Sequence, residues 1–311
     1  MSIARSRTRA ARLILPLVAA VFCVTAGWAQ PKEGAGESAG AFVYVGEPLK
    51  LPLDCSPQTF YESRVVCSER TPCDVYAEMV GIAAAGSHLV IYGNYHTASD
   101  TIATLLLTSH DGGKSWQEPV ERIGAAAFEL IQFIDADHGW VVGSQTQVDG
   151  SERPVILVTE NGGSYWEKRP LWDADSERTG IVEKLYFEDA SQGFLVVDRE
   201  GSADDPYELY ESRNGGKSWG FRQTSADPIS LRQPRPLPEQ ENWRLGDGSS
   251  EDGYAVQRKV NGEWTTVAEF NADLGTCTEL KEPEKPEDKV SQAPVEPKPL
   301  EAVETLQIKR R

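Results

Sequence analysis

Ser109-His110-Asp111-Gly112-Gly113-Lys114-Ser115-Trp116 decides the fold, because it recurs. Thr159-Glu160-Asn161-Gly162-Gly163-Ser164-Tyr165-Trp166 is a second copy, and Ser212-Arg213-Asn214-Gly215-Gly216-Lys217-Ser218-Trp219 is a third. The shared pattern is Ser or Thr, any residue, Asp or Asn, Gly-Gly, any residue, Ser or Tyr, then Trp. The tryptophans stand 50 and 53 residues apart. Short-strand repeats of that period build propellers or arrays.

Each copy reads as the turn of a hairpin. Before it lies an apolar run: Thr104-Leu105-Leu106-Leu107, Val155-Ile156-Leu157-Val158 and Tyr207-Glu208-Leu209-Tyr210. Such runs are strands. Asp-Gly or Asn-Gly then supplies the reversal, since Gly accepts positive φ and Asx tolerates the left-handed region. The Asx carboxyl or amide and the Ser or Thr hydroxyl can bond turn N–H groups. The Trp opens the returning strand and is large enough to fill the space between neighbouring sheets. Ser109, Asp111, Gly113 and Trp116, with Thr159, Asn161, Gly163 and Trp166 and with Ser212, Asn214, Gly216 and Trp219, therefore carry structural roles. None of their three Ser/Asx pairs is assigned to catalysis.

A second repeat is independent of the first. Phe133-Ile134-Asp135-Ala136-Asp137-His138-Gly139-Trp140 aligns with Phe187-Glu188-Asp189-Ala190-Ser191-Gln192-Gly193-Phe194. One strand ends at the Asp turn, and Gly allows the reversal into a strand buried on both faces. The eight-residue motif resembles the Asp-box, or bacterial neuraminidase repeat. Its pairing with the second repeat is most similar to the photosystem II stability/assembly factor-like family. The resemblance covers roughly residues 79–271. It implies an all-β propeller of four-stranded antiparallel blades, with the boxes on outer hairpins away from the central site, and a role in binding or assembling other proteins.

The remainder is read around this core. Residues 1–29 read as a secretory signal, with Arg5, Arg7, Arg9 and Arg12 ahead of the apolar Leu13–Val24 run and small residues at Gly27 and Ala29. Residues 30–41 read as a flexible leader, 42–278 as the propeller and 279–311 as a disordered Pro/Glu/Lys-rich tail. Pro228, Pro234, Pro236 and Pro238 mark a loop over 225–241, and Asn261-Gly262-Glu263-Trp264 reads as a degenerate fourth turn. A blade of roughly 45–50 residues divides the span into about five blades, with four to seven allowed.

Formal net charge is −17. Loss of the signal, with four arginines and no acid, takes it to about −21. Such a surface disfavours nucleic acid and anionic lipid and suits a basic partner. Cys55, Cys67, Cys73 and Cys277 suggest two disulfides in an exported, periplasmic or secreted chain, and they allow three pairings. If both bonds form, one joins Cys277 to the N-terminal segment. The four histidines are scattered, so no metal site is assigned, and no cofactor is implied.

The first functional reading is a monomeric, non-enzymatic scaffold for protein partners, with no membrane span after signal cleavage. The second is a sialidase-like glycoside hydrolase or a carbohydrate-binding propeller. A sialidase needs an arginine cluster, an Asp acid/base and a Tyr/Glu pair; the nearest arginine string, Phe221-Arg222-Gln223-Thr224, lacks the family's Pro. Calcium at Asp135/Asp137 or Asp173/Asp175 is a minor option. Functional loops are expected at Asp135–His138, Glu188–Gln192 and Tyr95–Asp100 around one channel mouth.

Overall fold

The computed structural model describes residues 41–199 and 204–278. The expected signal, nearly all of the leader and the C-terminal tail lie outside the described residues.

Residues 42–72 hold only β1 (Phe42–Val43) and one short helix, α1 (Pro57–Glu62). The first sheet follows as a meander of β2 (Cys73–Ala85), β3 (His88–His96) and β4 (Thr101–Ser109). The first Gly-Gly turn leads into β5 (Ser115–Trp116), which pairs with β1. The second sheet is β6 (Ala126–Phe133), β7 (His138–Thr146), β8 (Glu152–Glu160) and β9 (Glu167–Lys168). The third is β10 (Ile181–Phe187), β11 (Gly193–Asp198), β12 (Tyr207–Ser212) and β13 (Gly220–Ser225). The fourth has three strands, β14 (Trp243–Asp247), β15 (Tyr254–Val260) and β16 (Glu263–Phe270). Finally β17 (Asp273–Cys277) pairs with the start of β2. All named strand pairs are antiparallel, as in propeller blades. Among the described residues there are four blade sheets, within the four to seven expected, and a two-stranded β1–β5 sheet to which residues 42–72 contribute their one named strand.

The central strands are buried on both faces, so they read as continuous apolar runs without alternation. Leu105, Leu106 and Leu107 in β4 are all buried, as are Val141 and Val142 in β7. Two glycines are required by backbone contact. A Cβ on Gly93 would fall 1.9 Å from the Glu78 carbonyl oxygen, and one on Gly143 would fall 1.8 Å from that of Ala127. Both carbonyls lie beside bulges, at Met79/Gly81 and Phe128/Leu130, where the inner strand bends toward its neighbour.

Three hydrophobic cores join the sheets. Leu89, Ile91, Leu105 and Leu107 of the first sheet meet Trp243, Val256, Ala268 and Phe270 of the fourth. Val90 and Leu106 on the opposite face meet Phe128, Val141, Leu157 and Trp166 of the second. Trp140, Val142 and Ile156 then meet Leu185, Phe187, Leu195 and Tyr210 of the third. The spatial order is thus fourth, first, second, third. Among the described residues, no comparable core joins the third sheet to the fourth.

The fourth sheet lacks a first strand. Its Leu245–Tyr254 end lies beside Tyr76–Glu78 and His96, while Trp243 and Arg258 lie beside Gly86, Ser87 and the first Gly-Gly turn. So β14 runs opposite to β2. It takes the second-strand place, and the 261–262 turn falls at the same end as the other three motif turns. The proline-rich segment takes the innermost place. With prolines at 234, 236 and 238 it lacks the N–H groups for a strand ladder. Gln240 pairs with the edge of β2 instead: its amide donates to the Ile82 carbonyl at 3.0 Å and accepts from the Ala84 N–H at 2.8 Å. Gln132 does the same between sheets, donating to the Phe187 carbonyl at 2.8 Å and accepting its N–H at 2.7 Å.

Candidate functional site

The three repeated turns share one bonding scheme. The Ser109, Thr159 and Ser212 hydroxyls accept the second glycine's N–H at 2.8, 2.9 and 2.8 Å. Each hydroxyl donates to the Asx oxygen at 2.9, 2.9 and 3.0 Å. That oxygen then accepts the N–H of Ser115, Tyr165 or Ser218. All six motif glycines have positive φ, from 66° to 88°. Burial acts to raise the Asp111 carboxyl, but the bonds from Ser115, Ser109 and Lys114 outweigh it and hold it at about 2. The Ser or Thr hydroxyl and the Asx oxygen that might have suggested a nucleophile and base are engaged within their own turn.

The turns also lock sideways. The Gly162 N–H donates to the Asp137 carbonyl and the Gly215 N–H to the Ser191 carbonyl, both across the box end. Asp135 caps the N–H groups of Asp137 and His138, and Asp189 caps those of Ser191 and Gln192. The 135–138 and 188–192 turns, expected at a functional mouth, therefore belong to the end carrying the repeats, where they serve as packing. Tyr95–Asp100 lies at the opposite end, since β3 runs from His88 beside the turns to His96 away from them. The three loops do not converge: in an antiparallel meander the turns alternate between ends, and 135–138 and 188–192 join first to second strands while Tyr95–Asp100 joins a second to a third.

The cysteines meet at that opposite end. Cys55 bonds Cys277 and Cys67 bonds Cys73. Cys277 also stands directly across from Cys73 in the β17–β2 ladder. Both bonds therefore converge where the last strand meets the first blade.

Part of the set demanded by the hydrolase reading, a Tyr/Glu pair with two arginines but without an Asp acid/base, comes together in a place the sequence did not indicate. Tyr210 donates to Glu208 at 2.5 Å and receives bonds from Trp172 Nε1 and Arg178 at 2.8 and 3.0 Å. Arg178 and Arg199 both pair with Glu208, at 3.2 and 2.8 Å. Tyr210 is 2% exposed and packs in the core between the second and third sheets. Burial, followed by the bond to Glu208, pushes its phenol up to about 12. A nucleophilic phenol needs the opposite shift. Arg222, of the Phe221–Thr224 string, pairs with Glu211 on the third sheet.

A cleft of about 840 Å³ lies at the end opposite the motif turns, between the first and fourth sheets. β2 and β3 supply Tyr76, Glu78 and His96, with the Tyr76 and His96 rings 5.7 Å apart. Glu78 is held by the Asn94 amide at 2.8 Å. The 247–254 turn supplies Asp247, Ser250, Asp252 and Tyr254. An adjoining hollow of about 520 Å³ adds Glu251, Asp273 and Lys50. Acids outnumber the single lysine, and two tyrosines and a histidine give flat contact surface. Of the expected loops, Tyr95–Asp100 borders this cleft, through His96. The sequence signal that could have found the rest is Gly246-Asp247-Gly248-Ser249-Ser250-Glu251-Asp252-Gly253, a turn too polar and glycine-rich for a plain two-residue hairpin.

Among the described residues, no group of three or more His, Cys, Asp or Glu is arranged to hold a metal ion. No described helix is long and apolar enough to cross a membrane.

Fold and site together define a β-propeller whose blades are sewn by a repeated Asx-Gly-Gly turn. No family model matches the chain, and no curated protein matches it in sequence. Among solved structures it is similar to YCF48 bound to a D1 peptide, at 16% identity and a TM-score of 0.33, over 71% of this chain and 60% of that one. It is similar also to YCF48 from Cyanidioschyzon merolae, at 16% identity and a TM-score of 0.30, over 64% of this chain and 74% of that one. A fructofuranosidase from Schwanniomyces occidentalis complexed with fructosylnystose gives 15% identity and a TM-score of 0.32, over 72% of this chain and 51% of that one. The chain thus spans about three fifths of the first of these structures. Likenesses at these scores say nothing of what this chain binds or does.

Proposed function

We propose that the chain is an exported, non-enzymatic propeller that binds a basic segment of another protein in the cleft between its first and fourth sheets. The observation that carries this reading is the cleft itself: Glu78, Asp247 and Asp252 beside Tyr76, His96 and Tyr254, open to solvent. Aromatic rings beside a field of one sign suit recognition of Lys- or Arg-containing peptide. The net charge of −17 supports the same partner. Two disulfides support an oxidising compartment, periplasmic or extracellular. In this reading the three repeated turns are Asp-boxes that stiffen the scaffold.

The test is cross-linking of the exported protein in its own host, followed by capture and mass spectrometry. The expected result is one enriched partner, lost in the Asp247→Asn/Asp252→Asn double variant and weakened by salt. Capture that survives both changes rejects the cleft. The alternative is a sialidase-like glycoside hydrolase or a carbohydrate-binding propeller, and among the described residues Tyr210, Glu208, Arg178 and Arg199 are the group that a hydrolase would draw on. Its test is a glycoside screen with the Tyr210→Phe variant as control. Turnover abolished by that change would replace the binding reading.

A further inference from the structure

We propose that residues 306–311 of this same chain dock in the cleft between the first and fourth sheets and compete there with any other basic segment. The inference rests on the binding reading above and adds the regulation of that site.

The cleft carries charge that the described residues leave unmatched. Glu78, Asp247 and Asp252, with Glu251 and Asp273 of the adjoining hollow, are all exposed. Among the described residues, none of the five forms an ion pair, although Lys50 lines the same hollow. The side-chain bond to Glu78 comes from the neutral amide of Asn94. Acids elsewhere are matched: Glu208 by Arg178 and Arg199, Glu211 by Arg213 and Arg222, Glu188 by Arg232 and Glu160 by Lys217. Unpaired carboxylates around one opening repel one another, and a bound cation relieves that repulsion. Tyr76 and Tyr254 supply rings on which a guanidinium can lie, and Leu245 supplies apolar surface.

The complementary sequence is tethered beside this opening. Leu306-Gln307-Ile308-Lys309-Arg310-Arg311 joins two aliphatic side chains to the one run of three consecutive cations in the sequence. It contains no acid. These residues lie outside the described ones, but their anchor does not. Cys277 is bonded to Cys55 and faces Cys73 in the β17–β2 ladder. Tyr76, on the cleft wall, stands three residues further along β2, roughly 10 Å away at about 3.3 Å per residue. Residues 279–305 have a contour of about 90 Å at the same rise, so the tether reaches the cleft easily. A segment held on such a tether has an effective concentration on the order of 1 mM. With an intrinsic dissociation constant of about 100 µM it would fill the cleft about nine-tenths of the time. A competing segment would then bind about tenfold more weakly than to an empty cleft. A partner must therefore displace a segment of its own chemistry, which sets a threshold for binding.

The test uses a fluorescein-labelled peptide with the sequence of residues 303–311 as probe, read by fluorescence anisotropy. It is titrated with the full chain and with the Lys309→Ala/Arg310→Ala/Arg311→Ala variant, whose substitutions touch no described contact. The probe should bind the triple variant about tenfold more tightly than the unaltered chain. Adding Asp247→Asn/Asp252→Asn to the triple variant should abolish that gain. Equal affinity for the two chains overturns the inference and leaves the cleft as a peptide site. Binding to neither chain also overturns it, and the partner capture described above then decides the binding reading separately. Carbodiimide cross-linking of the full chain at about 1 µM gives a second readout. It should join Lys309 to Glu78, Asp247 or Asp252 within one chain, as mapped by mass spectrometry. Links confined to other acids, or formed only between chains, overturn the inference.

Discussion

Removing the two disulfides in turn is the sharpest test of how the last strand is held to the first sheet. Cys55–Cys277 spans 222 residues and Cys67–Cys73 spans six. In the chain-entropy treatment, a loop of the first length restricts the unfolded chain by about 5 kcal/mol and one of the second by about 2 kcal/mol. Against a total margin of roughly 5–15 kcal/mol, the long bond is worth a large share and the short one a modest share. Both partners of a bond should be replaced together, Cys55→Ser with Cys277→Ser and Cys67→Ser with Cys73→Ser. A lone thiol at Cys277 would face Cys73 across the ladder and could exchange. The assay is urea unfolding followed by tryptophan fluorescence, to which Trp116, Trp140, Trp166, Trp172, Trp219, Trp243 and Trp264 report from all four blade sheets. The long-bond pair should lose at least twice the stability lost by the short-bond pair. An equal or smaller loss would refute the reasoning, and would mean that packing of β17 and the N-terminal arm already confines the unfolded chain or carries the closure alone.

Three further outcomes follow from named contacts. Gly143→Ala must push against the Ala127 carbonyl 1.8 Å away, so a loss of about 2–4 kcal/mol is expected in thermal unfolding; a neutral result would deny the bulge. Gln132→Leu strands both backbone groups of Phe187 and should cost about 2–4 kcal/mol, measured by the same melt. Asp111 titrates at about 2 in the folded chain, below its ordinary value of 3.8. Its contribution is therefore complete above that ordinary value and is lost as pH falls toward 2. Asp111→Asn should flatten that part of the acid-unfolding curve, and an unchanged slope would place the acid sensitivity elsewhere.

The blades were legible because local chemistry repeats. Asp-Gly-Gly and Asn-Gly-Gly can form few other turns, and the apolar runs before them can only be buried strands. Residues 42–72 add no blade sheet, because the named strand there, Phe42–Val43, is two residues long and pairs with β5. The place of Trp243–Asp247 as a second strand was hidden because a proline-rich segment stands where a first strand would precede it. Only its neighbours across space, Tyr76 and Gly86, fix its polarity. The cleft was missed for the same reason: Tyr76, Glu78 and Asp252 are far apart in sequence, and each alone is an ordinary surface residue. Tyr210 and Glu208 lie two apart on one strand, but Arg178 and Trp172 reach them from a loop whose path no periodicity predicts.

Seating the fourth sheet on the first has a consequence for synthesis. Leu89, Ile91, Leu105 and Leu107 form one face of the first complete meander to leave the ribosome, and their cover, Trp243 through Phe270, comes roughly 140 residues later. The second and third blades can assemble against the opposite face meanwhile. The nascent chain therefore carries a sticky apolar surface until almost the last segment arrives. A chaperone or export-pathway holdase that shields this face should matter more for yield than any factor acting on the finished protein. Truncation anywhere before β16 should give material that collapses and aggregates instead of a smaller stable propeller.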